Sequence, residues 1–150
     1  MKIYKRIVCA VDFSHSSEVA CRRAIELARN FGAQLIMLHV VEYFPEDRSN
    51  ELIAPETTDP ASYREREARK GLANLATRLQ FEDAHHEVLF SPHAAWHEIV
   101  RFARDGAMEL IVLGSHGNHG IAELLGSTAN GVVNRAPCDV LAVRAQEELE

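Results

Sequence analysis

The sequence predicts an α/β fold in which a parallel sheet lies between two layers of helices, a three-layer sandwich. Short apolar runs of strand length alternate with longer amphipathic segments along the chain. The first run, residues 7–11, contains no polar residue, which is typical of a strand covered on both faces. At 150 residues the chain has the size of one domain, which we expect to span residues 1–150.

The first three elements follow from the residues at their ends. Residues 3–11 predict a strand, and the polar segment 12–17 offers N-cap residues for a helix that runs to about Asn30. Gly32 stands where a helix commonly ends, and residues 34–41 predict a second buried strand. The helix is expected to turn one apolar face to the sheet, made of Val19, Ala20, Ala24, Leu27, Ala28 and Phe31.

A long segment, residues 43–60, separates the second strand from the next helix. It contains three of the five prolines, and it is longer than an ordinary connection between elements. We expect a flexible loop here. It is either a lid over a binding site or a solvent-exposed loop with no such role, and the sequence leaves both interpretations open.

The remaining elements continue the alternation of helix and strand. We predict a helix at 61–80, a strand at 86–90, a helix at 94–105, a strand at 108–113, a helix at 124–135 and a strand at 139–143. On the first of these helices Glu65 and Arg69 have the spacing of a surface ion pair. The residues expected to face inward are Ala68, Leu72, Leu75 and Leu79 in that helix, and Ala95, Ile99 and Phe102 in the next.

Composition argues against several classes of protein. The chain has 16 Lys and Arg against 22 Asp and Glu, a net charge of −6, which disfavours binding to nucleic acids and to anionic membranes. No apolar run approaches the ~18 residues that span a bilayer, and the N-terminus lacks the pattern of a signal peptide. Cys9, Cys21 and Cys138 are far apart and odd in number, so we expect a cytoplasmic protein.

The segment GSHGNHGIAELLGST, residues 114–128, carries most of the functional signal. Gly114, Gly117, Gly120 and Gly126 are half of all glycines in the chain, and they follow a predicted strand and lead into a predicted helix. Such a segment can hold a phosphate group with backbone N–H groups and with the first turn of the helix. The alternative is a tight turn with a capping serine. The glycine spacing matches neither the P-loop nor the dinucleotide fingerprint.

Several segments together resemble the universal stress protein family over essentially the whole chain. They are AVDFS (10–14), LHVV (38–41), ELIVLGSHG (109–117), LLGST (124–128) and NRAPCDVLAVR (134–144). The resemblance implies a five-stranded parallel sheet of order 3-2-1-4-5, an adenine nucleotide α-hydrolase-like variant of the Rossmann-like architecture. It also implies a homodimer that pairs through the last strand, residues 139–144, which agrees with the tendency of an apolar edge strand to seek a partner.

Family members that bind ATP show a pattern that the resemblance maps onto this sequence. It implies a stress-response regulator that binds ATP or another adenine nucleotide through the glycine-rich segment after the fourth strand, with Mg²⁺ at the phosphates of ATP. The implied binding residues are Asp12, Val40, Leu113, Gly114, Gly117, Gly126, Ser127 and Thr128. Eight residues separate Gly117 from Gly126, whereas the pattern has nine. A dimeric interaction module of the same fold that binds no nucleotide is therefore the alternative.

No catalytic or metal-binding set is predicted. Ser127 lacks the G-x-S-x-G context of a nucleophile, although slow ATP hydrolysis and an enzyme acting on an adenylated substrate are both open. His93 and His97 have a spacing that can chelate zinc, and His116 and His119 lie in the glycine-rich segment. Neither pair has an evident third ligand, so surface histidines are the simpler interpretation. Trp96 either covers the third helix or lines a groove.

Overall fold

The computed structural model of the protein describes residues 3–43, 59–116 and 125–145. Strands and helices alternate along the chain. In order they are β1 (Arg6–Ala10), α1 (His15–Phe31), β2 (Gln34–Glu42), α2 (Pro60–Arg78), β3 (His85–Ser91), α3 (Ala95–Asp105), β4 (Leu110–Gly114), α4 (Ser127–Arg135) and β5 (Asp139–Val143). Most of the predicted 43–60 loop and residues 117–124 of the glycine-rich segment lie outside the described residues.

The five strands form one parallel sheet of order β3-β2-β1-β4-β5, so the predicted topology is confirmed. β1 lies at the centre between β2 and β4, with Ala10 beside Leu38 and Cys9 beside Val112. The order reverses between β1 and β4. In open sheets of this kind ligands bind at the carboxyl ends of the strands beside such a reversal.

The sheet separates two apolar cores, as a strand period of two requires. Ile7 and Cys9 of β1 point into the core under α1 and α2, whereas Val8 points into the core under α3 and α4. The four inward residues predicted for α2 are all buried. The predicted Glu65–Arg69 pair is also present, with 3.5 Å between the guanidinium and the carboxylate.

Helix α1 has a cap at each end, which explains its bounds. Ser14 is the N-cap, and its side chain accepts a hydrogen bond from the Ser17 N–H. Gly32 follows the helix in the left-handed region, with φ of 64°. The chain then enters β2 directly.

Two predicted inward faces are partly wrong. In α1, Val19, Leu27 and Phe31 are only half-buried, and the deepest face instead includes Cys21 and Ile25. The small residues at its centre, Ala20, Ala24 and Ala28, allow the helix axis to approach the sheet closely. In α3, Ala95 and Phe102 are half-buried, and the buried residues are Glu98, Ile99, Val100 and Ala103.

Some predicted bounds also differ from the structure. The first strand was expected at 3–11, but regular pairing is limited to Arg6–Ala10. The last helix was expected from residue 124, but α4 begins at Ser127, because Gly126 has an extended backbone (φ −62°, ψ 162°). Among the described residues no helix is long and apolar enough to cross a bilayer. Cys9, Cys21 and Cys138 are all free thiols.

Candidate functional site

The carboxyl ends of β1, β2 and β4 bring the predicted binding residues to one edge of the sheet. Asp12 follows β1, whose last residue Ala10 lies beside Leu38, two residues before Val40. Gly114 ends β4 on the other side of β1. This edge therefore assembles residues that are about a hundred positions apart in sequence.

Asp12 is exposed at this edge, and its carboxylate is held by the turn that starts α1. One oxygen, Oδ1, accepts a hydrogen bond of 3.0 Å from the Ser14 N–H and another from the Ser14 hydroxyl. The Asp12 N–H donates to Ser17 Oγ at 3.3 Å. Asp12 thus shapes the turn, and its fixed carboxylate still faces solvent.

Phe13, the next residue, has a backbone conformation that a bulky side chain seldom adopts. Its φ is 64°, and the residue is 46% exposed. The ring lies 4.6 Å from the ring of His39 on β2. A Cβ atom at Gly71 of α2 would stand 2.8 Å from it. Phe13 therefore fastens the turn that carries Asp12 to both β2 and α2.

His39 on β2 is hydrogen-bonded to the residue that precedes the same turn. Its Nδ1 lies 2.7 Å from the carbonyl oxygen of Val11, and because a carbonyl only accepts, Nδ1 carries the proton. Burial lowers the pKa of His39 below its ordinary value, although the bond to Val11 opposes that shift. A neutral, oriented imidazole therefore lies beneath the Asp12 turn.

Gly114 owes its lack of a side chain to packing as much as to a ligand. A Cβ atom at this position would lie 2.4 Å from the hydroxyl oxygen of Ser16 and 2.9 Å from the Ser16 carbonyl carbon. Strand β4 and the first turn of α1 are thus in direct backbone contact. Only glycine fits there without displacing α1.

The ends of the glycine-rich segment are tied together by the backbone. The Ser115 N–H donates to the Val143 carbonyl at 2.9 Å, and the Gly126 N–H donates to the Ser115 carbonyl at 2.7 Å. The second bond closes a loop between Ser115 and Gly126. It also engages the Gly126 amide inside the protein, so that this amide is not available to a phosphate group.

The first turn of α4 is a feature at this edge that favours an anion. Its N-cap, Gly126, has no side chain, so no side chain supplies a cap hydrogen bond there. Ser127 is exposed and Thr128 is half-buried. The amides of a first helical turn have no partner within the helix, and the helix dipole favours negative charge beside them.

Seven of the eight predicted binding residues thus come together at this edge. The eighth, Gly117, lies outside the described residues. Leu113 is 3% exposed and Val40 is half-buried against the α3–α4 core, so these two residues offer mainly backbone to a ligand. Sequence reasoning missed Phe13 and His39, since neither a positive φ at phenylalanine nor a cross-strand ring contact has a local signature.

The other candidate residues make contacts within the protein or lie outside the described residues. Trp96 packs on α4, where a Cβ atom at Gly131 would stand 2.3 Å from the indole ring, so it joins α3 to α4. His116 makes a 3.0 Å hydrogen bond between its Nδ1 and the Ser115 hydroxyl. His119 lies outside the described residues. Within those residues no group of three or more His, Cys, Asp or Glu is placed to hold a metal ion.

Comparison with known sequences gives a match over nearly the whole chain. Residues 3–144 match the model of the family described as the universal stress protein family. Universal stress protein A homolog 1 of Coxiella burnetii is 35% identical over 144 residues, which cover 96% of this chain and 99% of that protein.

Two solved structures are similar to this chain and hold nucleotides. A universal stress protein in complex with cAMP is 28% identical, with a TM-score of 0.65, over 96% of this chain and 99% of the other. The universal stress protein of Archaeoglobus fulgidus in complex with dAMP is 27% identical, with a TM-score of 0.63, over 93% and 98% of the two chains.

Proposed function

This chain belongs to the universal stress protein family, and we propose that within the family it is a stress-response regulator that binds an adenine nucleotide. The nucleotide would lie at the carboxyl edge of β1, β2 and β4. One observation carries the proposal: the first turn of α4, without a side-chain cap, begins beside Ser115 at the same edge as Asp12. The cAMP and dAMP complexes of similar proteins support an adenine ligand.

The geometry suggests that the two sides of the edge contact different parts of the nucleotide. The first amides of α4, with the hydroxyls of Ser127 and Thr128, suit the phosphate groups. The exposed carboxylate of Asp12 suits the hydroxyls of the ribose, and the β2 backbone at Val40 suits the base. Gly114 and Gly126 have no side chains that would project into the space between the Asp12 side and the α4 side of the site.

Within this proposal the bound nucleotide is ATP rather than a monophosphate. Its Mg²⁺ would be held mainly by the phosphate oxygens and by water, as is usual for Mg²⁺, because the described residues hold no group of three metal ligands. We propose binding rather than rapid turnover. The three free thiols support the proposed cytoplasmic location.

A second function is favoured by the Gly126 amide. Because this N–H donates to the Ser115 carbonyl, one of the expected phosphate donors is already engaged. The alternative is a dimeric interaction module that uses the same edge or the β5 edge without a nucleotide. Dimerisation through β5 is part of both proposals.

A substitution at Ser127 separates these functions. Ser127→Pro removes the first amide of α4, and proline is well tolerated at the first position of a helix. Gly126 already has the extended conformation that a residue before proline needs. Losing one charge-assisted hydrogen bond should weaken AMP and ATP–Mg²⁺ binding about ten-fold or more in isothermal titration calorimetry.

The matched control is Ser127→Ala, which removes the hydroxyl but keeps the amide. We expect this variant to weaken binding less than Ser127→Pro does, because it loses only the contribution of the hydroxyl. If the wild type gives no heat with AMP or ATP–Mg²⁺ at millimolar concentration, the nucleotide proposal fails and the interaction module stands. If Ser127→Pro binds as tightly as the wild type, the α4 amides are not the phosphate site.

A further inference from the structure

Two exposed histidines lie close together at the start of α3, just after the carboxyl end of β3. His93 precedes the helix and His97 lies in its first turn. Their ring centroids are 5.3 Å apart, and the ring planes are inclined by 49°. Both residues contribute backbone amides to hydrogen bonds, from His93 to Ser91 Oγ and from His97 to the Ala94 carbonyl.

The separation of the two rings matches that of two imidazoles on one metal ion. With a metal–nitrogen distance of about 2.0–2.1 Å and a ring radius of about 1.1 Å, each centroid lies about 3.2 Å from the metal. A tetrahedral angle then places the two centroids about 5.2 Å apart. The observed 5.3 Å agrees with this separation, so the spacing of the two rings suits two imidazoles on one metal ion.

Both histidines are held in place by their surroundings. His97 stacks on Trp96 with a centroid distance of 3.6 Å and an angle of 23°. Trp96 is wedged against Gly131 of α4, and the Arg135 guanidinium lies 4.5 Å from its ring centre. On the other side, the Ser91 hydroxyl fixes the amide of His93 across Pro92. The His97 ring therefore has little conformational freedom to lose when a ligand binds.

We propose that His93 and His97 form an open two-histidine site for a borderline divalent cation such as Ni²⁺, Cu²⁺ or Zn²⁺. Imidazole nitrogen is a preferred ligand of these metals, whereas Mg²⁺ and Ca²⁺ prefer oxygen. No third protein ligand stands near the pair among the described residues, so the remaining coordination positions are left to water or to a second molecule.

The charges around the pair set its strength. Arg101, one turn beyond His97, lies 2.9 Å from the carboxylate of Glu98, which offsets its charge. Arg135 beside Trp96 remains a positive neighbour. Two neutral ligands next to one cation make a site of moderate affinity, and among the three metals Cu²⁺ should bind most tightly.

The protein contains its own probe for this site. Trp96 is the only tryptophan in the chain, and its ring stacks on His97. Titration of untagged protein with NiCl₂ or CuCl₂ alone should quench Trp96 fluorescence saturably, because both ions quench a nearby indole. Zn²⁺, which does not quench, should compete with Ni²⁺ and restore the signal.

Variants decide whether the two histidines act together. His93→Ala and His97→Ala should each raise the metal concentration at half-saturation by about ten-fold or more, since each removes one of two ligands. The matched controls are His15→Ala and His85→Ala, two exposed histidines elsewhere in the chain, which should leave the midpoint within two-fold.

Three results would overturn the proposal. They are no saturable quenching at millimolar metal, a midpoint unchanged in both His93→Ala and His97→Ala, and a midpoint that moves in only one of them. All four histidines are exposed, so the variants should fold as the wild type does. Zinc binding measured by equilibrium dialysis gives a second readout that does not depend on the stacking of His97 on Trp96.

Discussion

At the scale of single residues, the proposed site depends on side chains that leave room for the backbone. Gly114 faces the first turn of α1 so closely that any Cβ atom would overlap Ser16. The same glycine belongs to the segment that the sequence marks for phosphate binding. Packing and function therefore demand the same residue here, and the presence of glycine alone cannot tell them apart.

Gly114→Ala should lower the free energy of unfolding by about 1–3 kcal/mol, because α1 must move away from β4. Urea unfolding measures the loss. Part of the overlap is with the Ser16 hydroxyl, so the same substitution should cost less in a Ser16→Ala background.

The control for this cycle is Gly32→Ala. No atom would lie within 4 Å of the added Cβ, and the cost there arises only from the left-handed backbone, about 1–2 kcal/mol. It should show no coupling to Ser16→Ala. An additive result at Gly114 as well would refute the contact with the Ser16 hydroxyl as the source of the loss.

At the scale of elements, the starts of two helices build the site. The N-cap of α1 links helix formation to the position of Asp12, because the Ser14 hydroxyl accepts from the Ser17 N–H and donates to the Asp12 carboxylate. The start of α4 has no side-chain cap of this kind. The start of α1 thus has its hydrogen-bond acceptor within the protein, whereas the acceptor at the start of α4 is proposed to be the nucleotide.

Ser14→Ala should lower the free energy of unfolding by about 1–2 kcal/mol, since it leaves a buried N–H without an acceptor. Thermal or urea unfolding tests this. Ser62→Ala in α2 is the control: it removes a hydroxyl that donates to Asp59 but keeps the cap bond from the Ser62 N–H. That loss should stay within about 0.5 kcal/mol. Equal losses in the two variants would contradict the role given to Ser14.

At the scale of the whole molecule, the sheet has two edges that differ in character. β3 is one edge and β5 is the other. In β5 the apolar residues Val140, Leu141 and Ala142 are only half-buried in the single chain. Such an edge is a template for pairing with a second copy, and this is the proposed dimer interface.

Val140→Lys should convert the dimer to a monomer, because it places a charge on the proposed interface. Light scattering after size-exclusion chromatography measures the mass against the 16.8 kDa of one chain. Leu89→Lys on β3 is a closely matched control, since Leu89 is also half-buried and packs against the same core from the other edge strand. It should leave the dimer intact. A monomeric wild type, or a dimer that survives Val140→Lys, would contradict the β5 interface.

The sequence by itself determined the order of the elements, the parallel sheet and most inward-facing residues, because apolar periodicity and helix-end residues are local signals. It also marked Asp12 and the segment 114–128, since polar and glycine residues directly after apolar strands are visible without a structure. The family resemblance supplied the order of the strands.

Only the tertiary structure decided which partners the backbone amides and the aromatic rings contact. The bond from Gly126 to Ser115, the overlap of Gly114 with Ser16 and the contact of Phe13 with His39 each join residues that are distant in the sequence or separated by a loop. The stacking of His97 on Trp96, which in turn packs on Gly131 of α4, is likewise a tertiary contact. Such contacts depend on how helices pack across the sheet, and no local pattern encodes that distance.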